Sequence, residues 1–179
     1  MLTTFVIAVL SAVASIIQIP VLDSYFRVTM GVVVMIVLMR ALGRKNFLEQ
    51  AFWSGLFVCL VRMAVLSFQA VELGPKNIAS ILLEVFFYIG YGLIARYTIV
   101  DRDNRYPIPY VVSLVLADFG GNSLEYFMRY LFAEEIWHDA KLLTLILAAV
   151  ARSVIIISLI WVVRKLGLNK EQMKEGAHA

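Results

Sequence analysis

The stretch that decides the fold is residues 108–132, IPYVVSLVLADFGGNSLEYFMRYLF. Four polar residues stand within its apolar and aromatic sequence, at offsets of 0, +4, +7 and +11: Asp118, Asn122, Glu125 and Arg129. Because an α-helix has about 3.6 residues per turn, these offsets place the four side chains on one narrow stripe. Charged groups on a membrane helix are costly in free energy unless they face protein or water. The stretch therefore predicts a membrane helix whose polar face is turned toward other helices.

The composition indicates an integral membrane protein. Of the 179 residues, 61% are hydrophobic, and the mean hydropathy is +0.84. A soluble domain of this length needs more polar surface than this sequence supplies. The net charge of +3 is small, which argues against nucleic acid as a partner. The single cysteine, Cys59, excludes an internal disulfide.

Six segments are long enough to cross a hydrocarbon core of about 30 Å, which takes roughly 20 helical residues. We expect them near 2–19, 25–42, 47–68, 77–97, 108–132 and 141–166. The first segment lacks the basic start of a signal peptide, so it is expected to be a retained helix. The predicted fold class is all-α: a polytopic bundle of six transmembrane helices over residues 1–168, followed by a short charged cytoplasmic tail at 169–179.

Basic residues in the loops predict the orientation. Those in the second loop, the fourth loop and the tail fall on one side of the membrane: Arg40, Arg44, Lys45, Arg96, Arg102, Arg105, Arg164, Lys165, Lys170 and Lys174. The fifth loop, on the opposite side, is acidic, with Glu134, Glu135 and Asp139. Because basic loops stay in the cytoplasm, we expect a multi-pass protein of the cell (plasma) membrane with both termini cytoplasmic.

This orientation gathers seven ionisable residues in the outer half and the middle of the bundle: Arg27, Arg62, Glu84, Asp118, Glu125, Arg129 and Arg152. One interpretation is a set of internal ion pairs that only holds helices together. The other is a ligand site that opens to the outer side, since buried ion pairs rarely stabilise a protein more than apolar packing does. The candidate ligand-binding residues are Arg62, Glu84, Tyr88, Asp118, Asn122, Glu125, Arg129 and Arg152. Four arginines against three acids favour an anionic or zwitterionic ligand.

The first segment carries small residues at helical spacing, Ala8, Ala12 and Ser15. Small residues let membrane helices approach closely where lipid supplies no hydrophobic drive to associate. Two interpretations remain open: internal packing, or docking onto a partner membrane protein.

Signatures of enzymes are missing from the sequence. It contains neither H-E-x-x-H nor G-x-S-x-G, and neither histidine lies inside a predicted span. The predicted function is non-enzymatic, with no cofactor and no metal.

The six helices, the cytoplasmic termini, the Ala8-x-x-x-Ala12 pattern and the outward polar cluster resemble the substrate-binding S components of energy-coupling-factor transporters. The resemblance covers the whole chain as architecture. It implies capture of a small solute from the outer side, for uptake with partner subunits. It also implies docking through the first helix onto a transmembrane coupling subunit driven by ATPases, with no ATP hydrolysis by this chain.

Two alternatives share this architecture. One is a membrane scaffold or sensory protein that acts through protein partners, similar to the rod-shape-determining membrane subunits or the multi-span input domains of sensor kinases. The other is a stand-alone secondary transporter, in which Arg62 and Arg152 would occupy corresponding helices of two inverted halves.

Overall fold

The structure of the protein, a computed structural model, describes residues 1–20, 27–43, 45–69, 74–100, 109–132 and 142–176. Within these residues the helices are α1 Leu2–Ala14, α2 Met30–Ala41, α3 Phe47–Phe68, α4 Pro75–Leu83, α5 Val85–Ala95, α6 Tyr110–Phe132 and α7 Leu142–Gly176. A π-helical turn, Arg96–Val100, continues α5. One short antiparallel strand pair, β1 Gln18–Pro20 and β2 Arg27–Thr29, lies between α1 and α2 in the sequence. The expected all-α fold class is confirmed.

The first two predicted spans are longer than the helices that form. α1 ends at Ala14 rather than at residue 19, and α2 begins at Met30 rather than at residue 25. Proline at position 20 has no N–H and disfavours helical geometry in the residue before it, so the chain is extended there. Ile19 instead pairs with Val28 across the strand pair. Part of the second predicted span, residues 25–26, lies outside the described residues.

The third predicted span, residues 47–68, is confirmed as α3, Phe47–Phe68. The fifth is helical from Tyr110, after Pro109, and residue 108 lies outside the described part. The sixth, α7, runs beyond residue 166 to Gly176. The predicted tail at residues 169–176 therefore continues α7 as helix. Residues 101–107 and 133–140, which belong to the loops used to predict the orientation, lie outside the described residues.

The fourth predicted span is interrupted at Glu84, which separates α4 from α5. The Glu84 N–H bonds to Ile81 O at 3.2 Å, a tighter turn than that of an α-helix. Cys59 Sγ on α3 also donates to Ile81 O, at 3.1 Å. The buried thiol thus satisfies a carbonyl at the interruption, which gives Cys59 a structural role.

Three helical stretches are long and apolar enough to cross a membrane, judged by length and composition: Phe47–Phe68, Asn77–Ile99 and Leu143–Gly167. Among the described residues, α1 and α2 are apolar but shorter, and α6 is long but carries three charged residues. Six spans therefore remain a prediction, and these three stretches support three of them.

Polar and apolar side chains are distributed as expected for an apolar surrounding. Large apolar side chains are exposed on the outer faces of α1, α6 and α7, among them Phe5, Phe127 and Trp161. The charged side chains of Asp118 on α6 and of Arg152 in the middle of the apolar part of α7 are buried. This arrangement is compatible with a membrane protein.

Glycines let α5 and α6 approach each other closely. A Cβ on Gly90 would lie 2.9 Å from Gly120 O, and a Cβ on Gly121 would lie 2.7 Å from Phe87 O. The Gly120-Gly121 pair does not interrupt α6, which is continuous from Tyr110 to Phe132. Its glycines serve close approach, and this contact fixes how α6 presents its polar stripe.

The small residues of α1 pack inside the protein. Ala8, Ala12 and Ser15 are fully buried, and α1 contacts α2 and α3. Gln50 of α3 donates to Thr4 O at 3.1 Å, which ties the two helices further. Internal packing accounts for the stripe in this structure. Docking of a partner through Ala8, Ala12 and Ser15 stays a prediction, and it would require α1 to separate from its neighbours.

Gly121→Ala should destabilise the protein, because the added methyl group meets a backbone oxygen that cannot move away cheaply. We expect the free energy of unfolding to fall by about 1–3 kcal/mol, as for other overpacked sites. Thermal unfolding of the detergent-purified protein measures the change.

Gly167→Ala is the matched control, since no atom lies within 4 Å of its added Cβ. It should leave stability unchanged or raise it by up to about 1 kcal/mol through helix propensity. If Gly121→Ala melts like Gly167→Ala, the close approach of α5 and α6 is not a constraint on the fold.

Candidate functional site

Asp118 and Arg152 form the most buried ion pair, between α6 and α7. Arg152 Nη1 donates to Asp118 Oδ2, and the two residues are 2% and 1% exposed. Asn122, one turn along α6, donates from Nδ2 to Asp118 Oδ1 at 2.7 Å. Both carboxylate oxygens of Asp118 therefore have a partner. The i, i+4 spacing seen in the sequence places Asn122 beside Asp118.

Glu84 and Arg62 form a second pair, between the α4–α5 interruption and α3. Arg62 Nη1 lies 2.6 Å from Glu84 Oε2. The Arg62 side chain is 28% exposed, much more than any other member of the three pairs, whereas Glu84 is buried. The arginine is thus the accessible half of this pair.

Glu125 and Arg129 form the third pair, both on α6. Arg129 donates from Nε to Glu125 Oε1 at 2.9 Å, and its Nη2 lies 2.8 Å from the same oxygen. Arg129 Nη1 also donates to Ser80 Oγ on α4. This last contact connects α6 to the short helix before Glu84.

We call these six residues, with Asn122, the charge network: Arg62, Glu84, Asp118, Asn122, Glu125, Arg129 and Arg152. Its parts are connected through α4 and α5, since Arg129 donates to Ser80, one turn before Glu84, and Arg152 lies over the ring of Phe87. Three carboxylates face three guanidinium groups, so the charge network is neutral. The excess of arginine expected from the sequence depended on Arg27, whose side chain lies outside the described part.

Several buried polar atoms lack a hydrogen-bond partner among the described residues: Arg62 Nε, Glu84 Oε2, Tyr88 Oη, Tyr91 Oη and Arg152 Nε in and around the charge network, and Tyr110 Oη at the start of α6. Glu84 Oε2 keeps its ion-pair contact with Arg62 at an angle outside hydrogen-bond geometry. Tyr88 is fully buried, and a Cβ on Gly31 of α2 would collide with its hydroxyl. Unpartnered buried polar groups are rare in folded proteins and call for an explanation.

The structure brings all eight candidate ligand-binding residues into one region, in which seven form the charge network and Tyr88 lies beside it. Two further contributors are not among the eight candidates. Ser80 holds Arg129, and the Phe87 ring lies under the Arg152 guanidinium at 5.1 Å. Ser80 stands four residues before Glu84, a spacing that places the two on the same face of a helix. This spacing could have indicated Ser80 as a site residue, but it is common in helices.

One cavity described in the structure lies away from the charge network. It has a volume of about 440 Å³ and is lined by Met1, Leu2, Thr4, Phe5, Glu49, Trp53 and Phe57. Its lining is mostly apolar and includes none of the candidate ligand-binding residues. Within the described part of the chain, no group of three or more His, Cys, Asp or Glu side chains is placed to hold a metal ion.

Comparisons with known proteins give no match, whether with protein-family models, curated proteins or solved structures. The function proposed below therefore rests on the residues and contacts of this chain.

Breaking the Asp118–Arg152 pair should destabilise the protein strongly. Asp118→Asn leaves the buried Arg152 charge without its partner, and Arg152→Gln does the same to Asp118. Each change should lower the free energy of unfolding by about 3–5 kcal/mol. The double variant, which removes both charges, should regain much of that loss, as thermal unfolding in detergent would show.

Arg164→Gln is the control, because Arg164 is exposed on α7. It should change stability by no more than about 0.5 kcal/mol. The pair is not coupled if the single variants at Asp118 and Arg152 melt like native protein. It is also not coupled if the double variant loses as much free energy of unfolding as the two single variants together.

Proposed function

We propose that this chain is a membrane-embedded binding subunit that captures a small polar or charged solute from the outer side, for uptake with partner subunits. The charge network is the binding site. The proposal includes six membrane-spanning segments and both termini in the cytoplasm. It agrees with the resemblance to the S components of energy-coupling-factor transporters.

The observation that supports the proposal is a neutral network of buried charges that still leaves donor groups unpartnered. Insertion into a membrane costs about 2.5–3.5 kcal/mol for each central Arg or Asp. A bundle that needed only packing would be more stable with apolar residues at these positions. A ligand that accepts hydrogen bonds gives the unpartnered groups a role, and a purely structural network does not.

Access to the charge network is expected from the side of α4. This helix has nine residues and few buried side chains, and it follows Gly74 and begins with Pro75. The polar contacts that hold it include those from Arg129 to Ser80 and from Cys59 to Ile81 O. Movement of α4 about the interruption at Glu84 would open a path to Arg62, which is already partly exposed. Interrupted membrane helices commonly line such sites in transporters.

A second candidate function, a sensory protein, is favoured by the length of α7. Its 35 residues extend over about 52 Å, whereas the hydrocarbon core takes about 30 Å. Arg152 ties this helix to Asp118 in the charge network. A ligand that disturbed this pair would therefore displace a helix that reaches well beyond the membrane, which is how an output signal would leave the bundle.

Ligand capture predicts stabilisation by a small molecule. A compound that binds only the folded state stabilises it by mass action and so raises the melting temperature. At a concentration of 100 times its Kd, the gain in free energy of unfolding is about 2.7 kcal/mol. The test is thermal unfolding of the detergent-purified protein against a panel of vitamins, amino acids, nucleobases and metal ions. Arg62→Gln should abolish the shift that the native protein shows, and the exposed Arg164→Gln should retain it.

Three outcomes separate the alternatives. A compound that stabilises the native protein and Arg62→Gln equally does not bind at the charge network. Accumulation of that compound in vesicles by the purified chain alone indicates a stand-alone transporter. A panel without any effect, together with charge-network variants that melt like native protein or higher, favours a scaffold that acts through protein partners.

The proposed topology predicts that both termini lie on the cytoplasmic side. A fluorescent protein that folds only in the cytoplasm, fused to either terminus, should fluoresce in cells. Alkaline phosphatase, which is active only outside the cytoplasm, should stay inactive in both fusions. An active phosphatase at one terminus would show an odd number of spans and would disprove the six-span arrangement.

A further inference from the structure

The three ion pairs of the charge network differ in how completely they are satisfied. Both oxygens of Asp118 accept hydrogen bonds, from Arg152 and from Asn122. Glu125 accepts two contacts from Arg129. In the pair of Arg62 and Glu84, the contact of Nη1 with Oε2 at 2.6 Å lies outside hydrogen-bond geometry, and Arg62 Nε has no partner among the described residues. In this pair, an external group can therefore take the place of one partner at the smallest cost in free energy.

Most of the unpartnered atoms in this region are donors. Arg62 Nε and Arg152 Nε can only donate, and Tyr88 Oη is fully buried without an acceptor in the described part of the chain. Tyr88 stands one helical turn after Glu84, on α5, and its hydroxyl lies against Gly31 of α2. Apart from Glu84 Oε2, the unpartnered atoms of this region are therefore groups that can donate to an acceptor oxygen.

The guanidinium of Arg62 has the geometry to bind an anion. Its five N–H groups lie in one plane and match the two oxygens of a carboxylate or a phosphate. The contact with Glu84 is made by Nη1, and Nε has no hydrogen-bond partner among the described residues. Because Arg62 is also 28% exposed, it is the member of the charge network that a solute reaches first.

We propose that Arg62 binds an anionic group of the solute, a carboxylate or a phosphate, and that Glu84 occupies Arg62 in competition with it. This inference rests on the proposed function and names the substrate class. The solute anion replaces the Glu84 carboxylate at Arg62, and Tyr88 Oη donates to a second acceptor oxygen. Glu84 stands at the junction of α4 and α5, where the backbone hydrogen bonds tighten to a single i→i−3 turn.

If Glu84 competes with the solute for Arg62, Glu84→Gln should strengthen binding of the anion rather than weaken it. Removal of the negative charge leaves Arg62 without its internal partner, so the anion should bind roughly tenfold tighter or better, since like charges at close range oppose binding. Arg62→Gln should abolish binding of the anion. If Glu84 instead bound a cationic solute directly, Glu84→Gln would weaken binding.

The probes are acetate, succinate and inorganic phosphate, with methylammonium as the cationic probe, all compared with chloride at equal ionic strength. The dependence of the melting temperature on probe concentration gives an apparent Kd for each variant, measured against its own probe-free value. We expect at least one anion to raise the melting temperature of Glu84→Gln in a saturable way. The same anion should stabilise native protein more weakly and Arg62→Gln not at all. The exposed Arg164→Gln controls for nonspecific binding of anions and should behave as native protein does.

Tyr88→Phe keeps the experiment decisive if Glu84→Gln does not fold. It removes only the unpartnered hydroxyl, so the probe-free protein should melt at the native temperature or higher, and stabilisation by the anion should weaken. A marked loss of probe-free stability in Tyr88→Phe would overturn the inference, because the hydroxyl would then already have an acceptor.

Failure of the substrate class is distinguishable from failure of the proposed function. Stabilisation by methylammonium, lost in Glu84→Gln, would overturn the anion assignment and leave solute capture in place. Anions that stabilise neither native protein nor Glu84→Gln would overturn the anion assignment as well. An equal effect of anions on Arg62→Gln and native protein would place anion binding elsewhere on the chain.

Discussion

The rest of the structure depends on the requirement that a charge buried among apolar side chains must have a partner. Asp118 and Arg152 are separated by 34 positions in the sequence and meet as the most buried pair. Because removing either partner would leave an uncompensated charge, the pair fixes the rotation and the depth of α6 and α7 relative to each other. The contact of Arg152 with the Phe87 ring adds α5 to the same arrangement.

Close packing at glycine makes this pairing possible. α5 and α6 touch backbone to backbone where Gly90 meets Gly120 and Gly121. At a larger separation, the polar stripe of α6 would not reach both α7 and the Glu84 junction. The stripe therefore has two requirements: helical spacing along α6, which the sequence alone determines, and a short distance between helices, which depends on residues of another element.

The sequence predicts the contacts that depend on spacing along one helix, and it leaves open those that depend on packing between helices. The i, i+4 relations between Asp118 and Asn122 and between Glu125 and Arg129 are local, and both contacts form as the spacing predicts. The choice of Glu84 as the partner of Arg62 depends on tertiary packing, so spacing along the chain does not contain it. The predicted end of the first helix was wrong because hydropathy does not distinguish an apolar helix from an apolar strand, and the isoleucines before Pro20 suit either.

The unequal satisfaction of the three pairs suggests how one charge network can serve two purposes. A pair whose carboxylate oxygens are both bonded, such as that of Asp118, holds helices in place and costs more free energy to disturb. A pair with a contact outside hydrogen-bond geometry, a partly exposed arginine and a helix interruption beside it has little to lose when its partner is exchanged. Arg62 and Glu84 combine these three features. A binding site in an apolar bundle needs both kinds of pair, because the solute must displace an internal partner while the framework around it stays paired.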